Sequence, residues 1–431
     1  MRRILFRIFQ LFFSLKILHA ERLIFTGPSV IMPNHVSFLD AILLYLFLPE
    51  SVCFVVNSEI ARNPVVRFGL RFRRHLAVDP LNPYSLRAIM GVVTEGQPVV
   101  LFPEGRISTT GSLMKMYAGT AMVAWKTKAS IFPVIFRGPE FSKFSRMSGK
   151  LKTRWFPPIE VYIDEPRGLC IDSNLNFKAQ KGALADDLLE KMQNAMFAAR
   201  REQHAGRDFF AQLLEASKLY GVNRPIVRDI TRVFTYRKLI TGIHVMAGKL
   251  RHFLHEEDST VGILMPNAVA HVVVLFALFL MGKTPAILNF STGIKNVADC
   301  ARNAKVKTVL TSRTFVEKGG FTNFVEKLGE SCRILYLEDI AATVGFTDKL
   351  LGLWRQWRGG KSASGPDSRL ILFTSGTEGR PKGVVLSHDA VLANIDQVAS
   401  VIDYTPSDRM MNALPMFHSF GLMAGTLLPL F

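Results

Sequence analysis

Short runs of consecutive apolar residues punctuate the first third of the chain. Residues 28–33, 97–103, 129–136 and 159–163 each gather Val, Ile, Leu or Phe between prolines or polar residues, the pattern of strands buried on both faces. Between the first two, residues 38–48 are apolar at helical density. Strands alternating with helical stretches predict an α/β layer domain closing near residue 165. Residues 183–201 then place Leu184, Leu188, Leu189, Met192 and Met196 at helical spacing, with Asp186, Asp187 and Glu190 towards the start and Arg200 and Arg201 at the end, as the helix dipole favours. This helix and the polar stretch 202–208 read as a bridge. From Phe209 the pattern restarts: a strand at 261–266, a wholly apolar run at 272–281 and a strand at 284–289 predict a strand-helix-strand unit of a parallel sheet. The apolar run is too short for a bilayer crossing, which takes about 20 residues, so it reads as a core helix. A Gly/Ser-rich loop at 359–367 leads into a last strand at 370–373. The expected organisation is therefore an N-terminal helical segment 1–24, an α/β domain 25–165, a helical linker 166–208 and a second α/β domain 209–431.

Charge changes the picture at the N-terminus. Arg2, Arg3, Arg7 and Lys16 interrupt an otherwise apolar segment, which predicts an amphipathic helix lying on a membrane rather than spanning it; a first helix packed on the core is the alternative. Nothing near His19, Ala20 and Glu21 makes a signal-peptide cleavage site. The whole chain of 431 residues carries a net charge of +18, which calls for an anionic partner, whether lipid, acidic protein or nucleic acid. Arg62, Arg67, Arg71, Arg73 and Arg74 crowd one stretch and predict a solvated basic face or a contact with lipid head groups. Lys143, Arg146, Lys150, Lys152 and Arg154 form a second such stretch. Cys53, Cys170, Cys300 and Cys332 are widely spaced, which excludes a disulfide framework or a zinc-finger spacing and predicts buried thiols.

Two stretches carry chemistry. In Asn34-His35-Val36-Ser37-Phe38-Leu39-Asp40 a histidine ends a predicted strand and an aspartate opens the following helix. A histidine can take a proton from a hydroxyl near neutral pH, and a carboxylate on its other nitrogen fixes the tautomer. No serine or cysteine nucleophile accompanies the pair, so the simplest reaction is direct attack of the activated hydroxyl on an acyl thioester. Alone the spacing carries little information. Its weight comes from Asn34 and from the strand-turn Phe102-Pro103-Glu104-Gly105-Arg106. Together, in order and spacing, these residues resemble the glycerolipid acyltransferases over residues 20–165. By that resemblance His35 is the general base, Asp40 its orienter, and Glu104, Gly105 and Arg106 part of the acceptor site. A planar guanidinium at Arg106 suits a phosphodiester, to which it can make two parallel bonds. The alternatives are that Arg106 pairs with a carboxylate and that Glu104 caps or anchors its own turn; with both motifs present the functional reading stands well ahead.

The second stretch is Thr374-Ser375-Gly376-Thr377-Glu378-Gly379, followed by Pro381-Lys382-Gly383. Glycines let backbone amides approach phosphate oxygens, hydroxyls donate to them, and Lys382 adds positive charge. It is not a Walker A loop. It resembles the phosphate loop of the adenylate-forming acyl-activating enzymes, departing from it at Glu378 where a hydroxyl residue is usual, and residues 414–421 are similar to that superfamily's next motif. The resemblance implies ATP and Mg2+ as cofactors of this half, none for the other half, nucleotide contacts from Thr374, Ser375, Gly376, Thr377, Glu378, Gly379 and Lys382, and an acyl or nucleotide pocket shaped by His418. His418 has no partner ligand in sequence, so no resident metal site is expected. The later acidic motif, the ribose-binding aspartate and the C-terminal catalytic lysine of that superfamily are not found before Phe431, so the activating half is expected to be incomplete.

A glycerolipid-acyltransferase-like α/β domain followed by an adenylate-forming α/β domain resembles bacterial two-function enzymes of phospholipid repair. That implies transfer of a fatty acyl group from acyl carrier protein to the 1-position of 2-acyl-lysophosphatidylethanolamine, with ATP-dependent acyl activation by the second half. The partners implied are lysophospholipid, fatty acid, acyl carrier protein and anionic inner-membrane lipids, and no nucleic acid; the location implied is the cytoplasmic face of the bacterial inner membrane. The alternatives are a stand-alone lysophospholipid or glycerol-phosphate acyltransferase with an inactive synthetase remnant, and a non-catalytic membrane-bound scaffold.

Overall fold

The computed structural model describes residues 2–79, 82, 84–147, 149, 151–171, 175–359, 365, 368–374, 381–402, 404–405 and 407–431. It divides into two compact units, Met1–Gln203 with Asp396–Asp408, and His204–Ile395 with Arg409–Phe431. Both are α/β, as the alternation of buried runs and helices predicts.

The first unit is built on a seven-stranded sheet: β1 (Lys16–Leu18), β2 (Ser29–Pro33), β3 (Cys53–Asn57), β4 (His75–Val78), β5 (Val99–Val100), β6 (Ser130–Arg137) and β7 (Glu160–Ile163). Their spatial order is β1-β7-β6-β2-β5-β3-β4, parallel throughout except between β6 and β7. Strand periodicity explains the continuous apolar runs. Along β6, Phe132, Val134 and Phe136 face one core while Ile131 and Ile135 face another, and β2 likewise sends Ile31 to the first and Val30 and Met32 to the second. A strand covered on both sides has no polar face to show.

Three expectations change. Helix α1 (Arg2–Phe12) has 11 residues and ends well short of residue 24; Ser14 takes a left-handed φ of 44° and Lys16–Leu18 pairs with β7. An integral place in the bacterial inner membrane is overturned: among the described residues no helix is long and apolar enough to cross a membrane. At about 1.5 Å per residue, α1 reaches only about half of a ~30 Å hydrocarbon core. The predicted linker helix runs from Phe177 to His204 and is a core element, because Leu184, Leu188, Met192, Ala195 and Met196 are buried in the first unit's core. An amphipathic stripe needs a surface to cover, and the sheet face supplies it.

The basic stretch 62–74 also resolves unevenly. Arg62, Arg67, Arg71 and Arg74 are exposed, but Arg73 is buried. Its guanidinium donates to the carbonyls of Tyr45 (2.6 Å), Leu48 (2.7 Å) and Pro49 (2.6 Å), at and just beyond the end of helix α2 (Leu39–Phe47). Helix ends leave carbonyls without partners, and a fork of five N–H donors serves several at once. Arg73→Ala is expected to cost about 2–4 kcal/mol of first-unit stability, with Arg73→Lys recovering part of it, as measured by thermal melting. Of the cysteines, Cys53, Cys300 and Cys332 are buried and Cys170 is exposed, against the expectation for the last.

The second unit carries a six-stranded sheet and a hairpin of β8 (Pro225–Arg228) and β9 (Val233–Thr235). The sheet holds β10 (Thr260–Ile263), β11 (Thr284–Ile287), β12 (Thr308–Thr311), β13 (Arg333–Tyr336), β14 (Arg369–Thr374) and β15 (Lys382–Ser387), in the order β13-β12-β10-β11-β14-β15. Only the β14–β15 pair is antiparallel. The helix Val269–Leu280 is buried from Val272 through Leu280, so the apolar run is a core helix. The loop expected at 359–367 lies mostly outside the described residues.

Candidate active site

β2 is central in its sheet, and parallel pairing with β5 (Val30↔Val99, Ile31↔Val100) sets the C-terminal ends of the two strands side by side. The turns leaving them therefore open at the same edge, where open α/β sheets usually bind ligands. His35 leaves one strand and Glu104 the other.

The imidazole of His35 is partly exposed, and its Nδ1 lies 3.0 Å from Oδ2 of fully buried Asp40. The same oxygen accepts from the backbone N–H of Val36 (2.7 Å) and Ser37 (2.8 Å), which fixes the carboxylate in the first turn of α2. Burial pushes the Asp40 carboxyl above the usual carboxylate range, against the pull of His35 and the two amides. With Nδ1 engaged as donor, Nε2 is left to accept a proton. Asn34 pins the strand end below: its side chain accepts from Phe136 N (2.7 Å) and donates to Phe136 O (3.1 Å), as a β-ladder partner would.

The 102–117 segment closes over the other side. Phe102 lays its ring on the imidazole, with centroids 4.1 Å apart and planes tilted by 32°. Glu104 is buried, and its two oxygens accept from His35 N (2.9 Å) and Met114 N (3.0 Å). Burial pushes its carboxyl up to about 7. Ser108 N donates to His35 O (2.7 Å), so the histidine's backbone is held from both sides. Gly105 adopts a left-handed φ of 63°, and a Cβ there would come within 2.8 Å of the Tyr117 ring. Arg106 is exposed beside this turn. The structure thus brings His35, Asp40 and Glu104 together, with Gly105 and Arg106 adjacent. Phe102, part of the motif but given no role from sequence, stacks on the base, and Ser108 takes part with no signal in the sequence to mark it.

In the second unit, Thr374 and Lys382 are register partners at the end of the β14–β15 pair where the chain passes from one strand to the other. Ser375, Gly376, Thr377, Glu378 and Gly379 lie outside the described residues. His418 is exposed and caps the helix Ser419–Leu422, its Nδ1 accepting from Phe420 N at 3.3 Å. Asn267, which sequence reasoning missed, secures the preceding segment: it accepts from Met416 N (2.9 Å) and donates to Leu414 O (2.8 Å). A hydroxyl facing an ammonium suits a polyphosphate. Among the described residues no cluster of three or more His, Cys, Asp or Glu could hold a metal.

Comparison with known proteins places both halves. The acyltransferase family profile matches residues 15–137, and the AMP-binding enzyme profile matches residues 214–431. The chain is 27% identical over 192 residues to 2-succinylbenzoate–CoA ligase of Bacillus licheniformis, covering 44% of this chain and 36% of that protein. It is 30% identical over 190 residues to the Listeria monocytogenes enzyme of the same name, with the same coverage. Against long-chain-fatty-acid–CoA ligase of Escherichia coli O157:H7 it is 25% identical over 248 residues, 50% of this chain and 44% of that one. The chain thus spans less than half the length of these curated relatives. Among solved structures, o-succinylbenzoate CoA synthetase from Bacillus subtilis with its acyl-adenylate overlays with a TM-score of 0.42 at 21% identity, covering 52% of this chain and 54% of that one. The profile spans half the sequence, and the chain belongs to the AMP-binding enzyme family, its adenylate-forming domain preceded by a glycerolipid-acyltransferase-like domain.

Proposed function

We propose that the first unit transfers a fatty acyl group from acyl carrier protein to the 1-position hydroxyl of 2-acyl-lysophosphatidylethanolamine, and that the second unit activates the fatty acid for loading onto that carrier. The observation that carries the first step is the His35–Asp40 pair, 3.0 Å apart at a strand-to-helix turn whose backbone is bonded to Glu104, two residues before exposed Arg106. His35 Nε2 takes the proton of the acceptor hydroxyl as the oxygen attacks the thioester carbonyl. The tetrahedral intermediate collapses, the C–S bond breaks, and the thiolate recovers the proton from the imidazolium. Asp40 holds Nδ1–H and stabilises the positive ring in between. Arg106 grips the acceptor's phosphodiester, with Gly105 keeping the turn low enough for approach.

In the second unit, bound ATP with Mg2+ supplies the free energy that activates the carboxylate. Thr374 and Lys382 would meet its phosphates, with Ser375, Gly376, Thr377, Glu378 and Gly379 between them, and His418 would border the acyl or nucleotide pocket. The second unit's membership of the AMP-binding family supports this half.

The test is direct. The full chain, given carrier protein already loaded with a labelled fatty acyl thioester and 2-acyl-lysophosphatidylethanolamine, should form phosphatidylethanolamine; given free fatty acid and unloaded carrier instead, it should do so only with ATP and Mg2+. Absence of product from preformed acyl carrier protein removes the transferase reading. Full rate with that donor and none from fatty acid plus ATP leaves a transferase alone. Arg106→Lys is expected to raise KM for the lysolipid about tenfold with kcat little changed, because the ammonium cannot make the paired bonds.

A further inference from the structure

We propose that Glu104 is a positioning residue of the transfer step: it holds the base in place through the His35 backbone and does not touch the acceptor. The inference rests on the transferase reading of the first unit and gives this residue a job different from the acceptor contact that its motif implies.

Burial keeps the carboxylate away from a ligand, and both of its oxygens are engaged by backbone N–H groups. One oxygen accepts from His35 N at 2.9 Å and the other from Met114 N at 3.0 Å, and the residue is 1% exposed. The two donors belong to segments far apart in sequence: His35 follows β2, and Met114 lies beyond the turn that begins at Glu104. A single side chain therefore ties the strand end carrying the base to the loop covering it. Ser108 N adds the reverse link to His35 O at 2.7 Å, and the Phe102 ring rests on the imidazole. Asp40 fixes the ring's tautomer, whereas Glu104 and Ser108 fix where the ring stands. Exposed Arg106 is left to meet the acceptor.

Two N–H bonds on separate oxygens are strongest to the ionised form. A protonated carboxyl keeps acceptor capacity but accepts more weakly, and its O–H must find a direction away from both amides. The charged groups acting on Glu104 are Asp40 from α2, which disfavours its ionisation, and Arg106 from its own turn, which favours it; burial dominates and brings the carboxyl to about 7. The bonds to the His35 turn are therefore stronger above about pH 7 than below it.

Glu104→Gln separates the possibilities, since the amide keeps one acceptor and turns the other position into a donor. In the full chain kcat should fall about 10–100-fold, with KM for 2-acyl-lysophosphatidylethanolamine within about twofold of wild type. The slope of the acid limb of log kcat against pH should be lower than in wild type by about one, the proton that Glu104 contributes. A KM increase of tenfold or more at unchanged kcat would mean that Glu104 contacts the acceptor, and unchanged kcat and slope would leave it a purely structural residue; either overturns the proposal. A second measurement needs no substrate. With 15N-labelled histidine, the His35 ring resonances of wild type should show an additional step near pH 7 that Glu104→Gln lacks. Identical titration of the two overturns the positioning role even if no transfer is observed, whereas loss of transfer by wild type with the step present overturns only the proposed reaction.

Discussion

His35→Ala is expected to reduce acyl transfer about a thousandfold while leaving ATP-dependent loading of acyl carrier protein unchanged. General-base catalysis contributes roughly 10²–10⁴ in rate, and about a thousandfold corresponds to about 4 kcal/mol of barrier. The substitution removes a partly exposed ring, so the fold should survive: the backbone bonds to Glu104 and Ser108 do not involve the imidazole. Product analysis with preformed acyl carrier protein reads the transfer step, and carrier loading from fatty acid and ATP reads the other unit. Loss of both together in a folded variant would mean that the two reactions do not have separate sites.

The second large effect is acid lability of the second unit. His244, His271 and His388 are all buried, and among the described residues the Nε2 of each has no hydrogen-bond partner. Burial lowers all three, His244 and His271 to about 4 and His388 to about 3. These rings are thus neutral in the folded chain and protonate readily only after unfolding. A lowered histidine contributes stability at pH above its unfolded value near 6.5, and that stability is lost as pH falls from there towards the folded value. Three such groups give a maximum slope of about 4 kcal/mol per pH unit, against a typical domain stability of about 5–15 kcal/mol. The second unit should unfold between about pH 6 and 4.

Glu104 in the first unit has the opposite sign. Its carboxyl is raised from 4.5 to about 7, so its contribution falls as pH rises through that window and is recovered on acidification. Hydrogen exchange from pH 7 to 4.5 should therefore show protection lost first in residues 236–280, while 29–33 and 130–136 remain protected. His244→Phe, which keeps a ring against Phe210, should remove one proton from the dependence. Equal loss of protection in both regions, or an unchanged slope in that variant, would contradict this account.

The substitutions expected to matter most act where local pattern and tertiary contact differ in what they reveal. The dyad was legible because a strand end, a turn and a helix start lie within a few residues, so His35 and Asp40 meet through local geometry alone. Arg73 was not legible. Its neighbours Arg62, Arg67, Arg71 and Arg74 are exposed, and nothing in an arginine-rich stretch marks the one side chain that turns inward to the carbonyls of Tyr45, Leu48 and Pro49. The helix Phe177–His204 had a readable apolar stripe, but a stripe says which face is covered and not by what. Without the sheet in view it passed for a linker. Residues 375–380, the most specific motif of the second unit, are outside the described residues, so their chemistry rests on sequence and family.

What the amino-acid order determined by itself is the set of parts: two α/β units, the buried strands β2, β6, β7, β10, β11 and β14, the apolar core helix of the second unit, the His35–Asp40 pair and the family of each half. These follow from periodicity and from motifs that span a few residues, which local sterics and apolar burial impose wherever the chain runs. Only the tertiary structure decided the partners. Parallel pairing of β2 with β5 sets residues 69 apart in contact, which is why Glu104 reaches His35 N and Phe102 reaches the imidazole. Side-chain periodicity fixes a face; strand order and register choose the neighbour, and they depend on how the whole sheet packs.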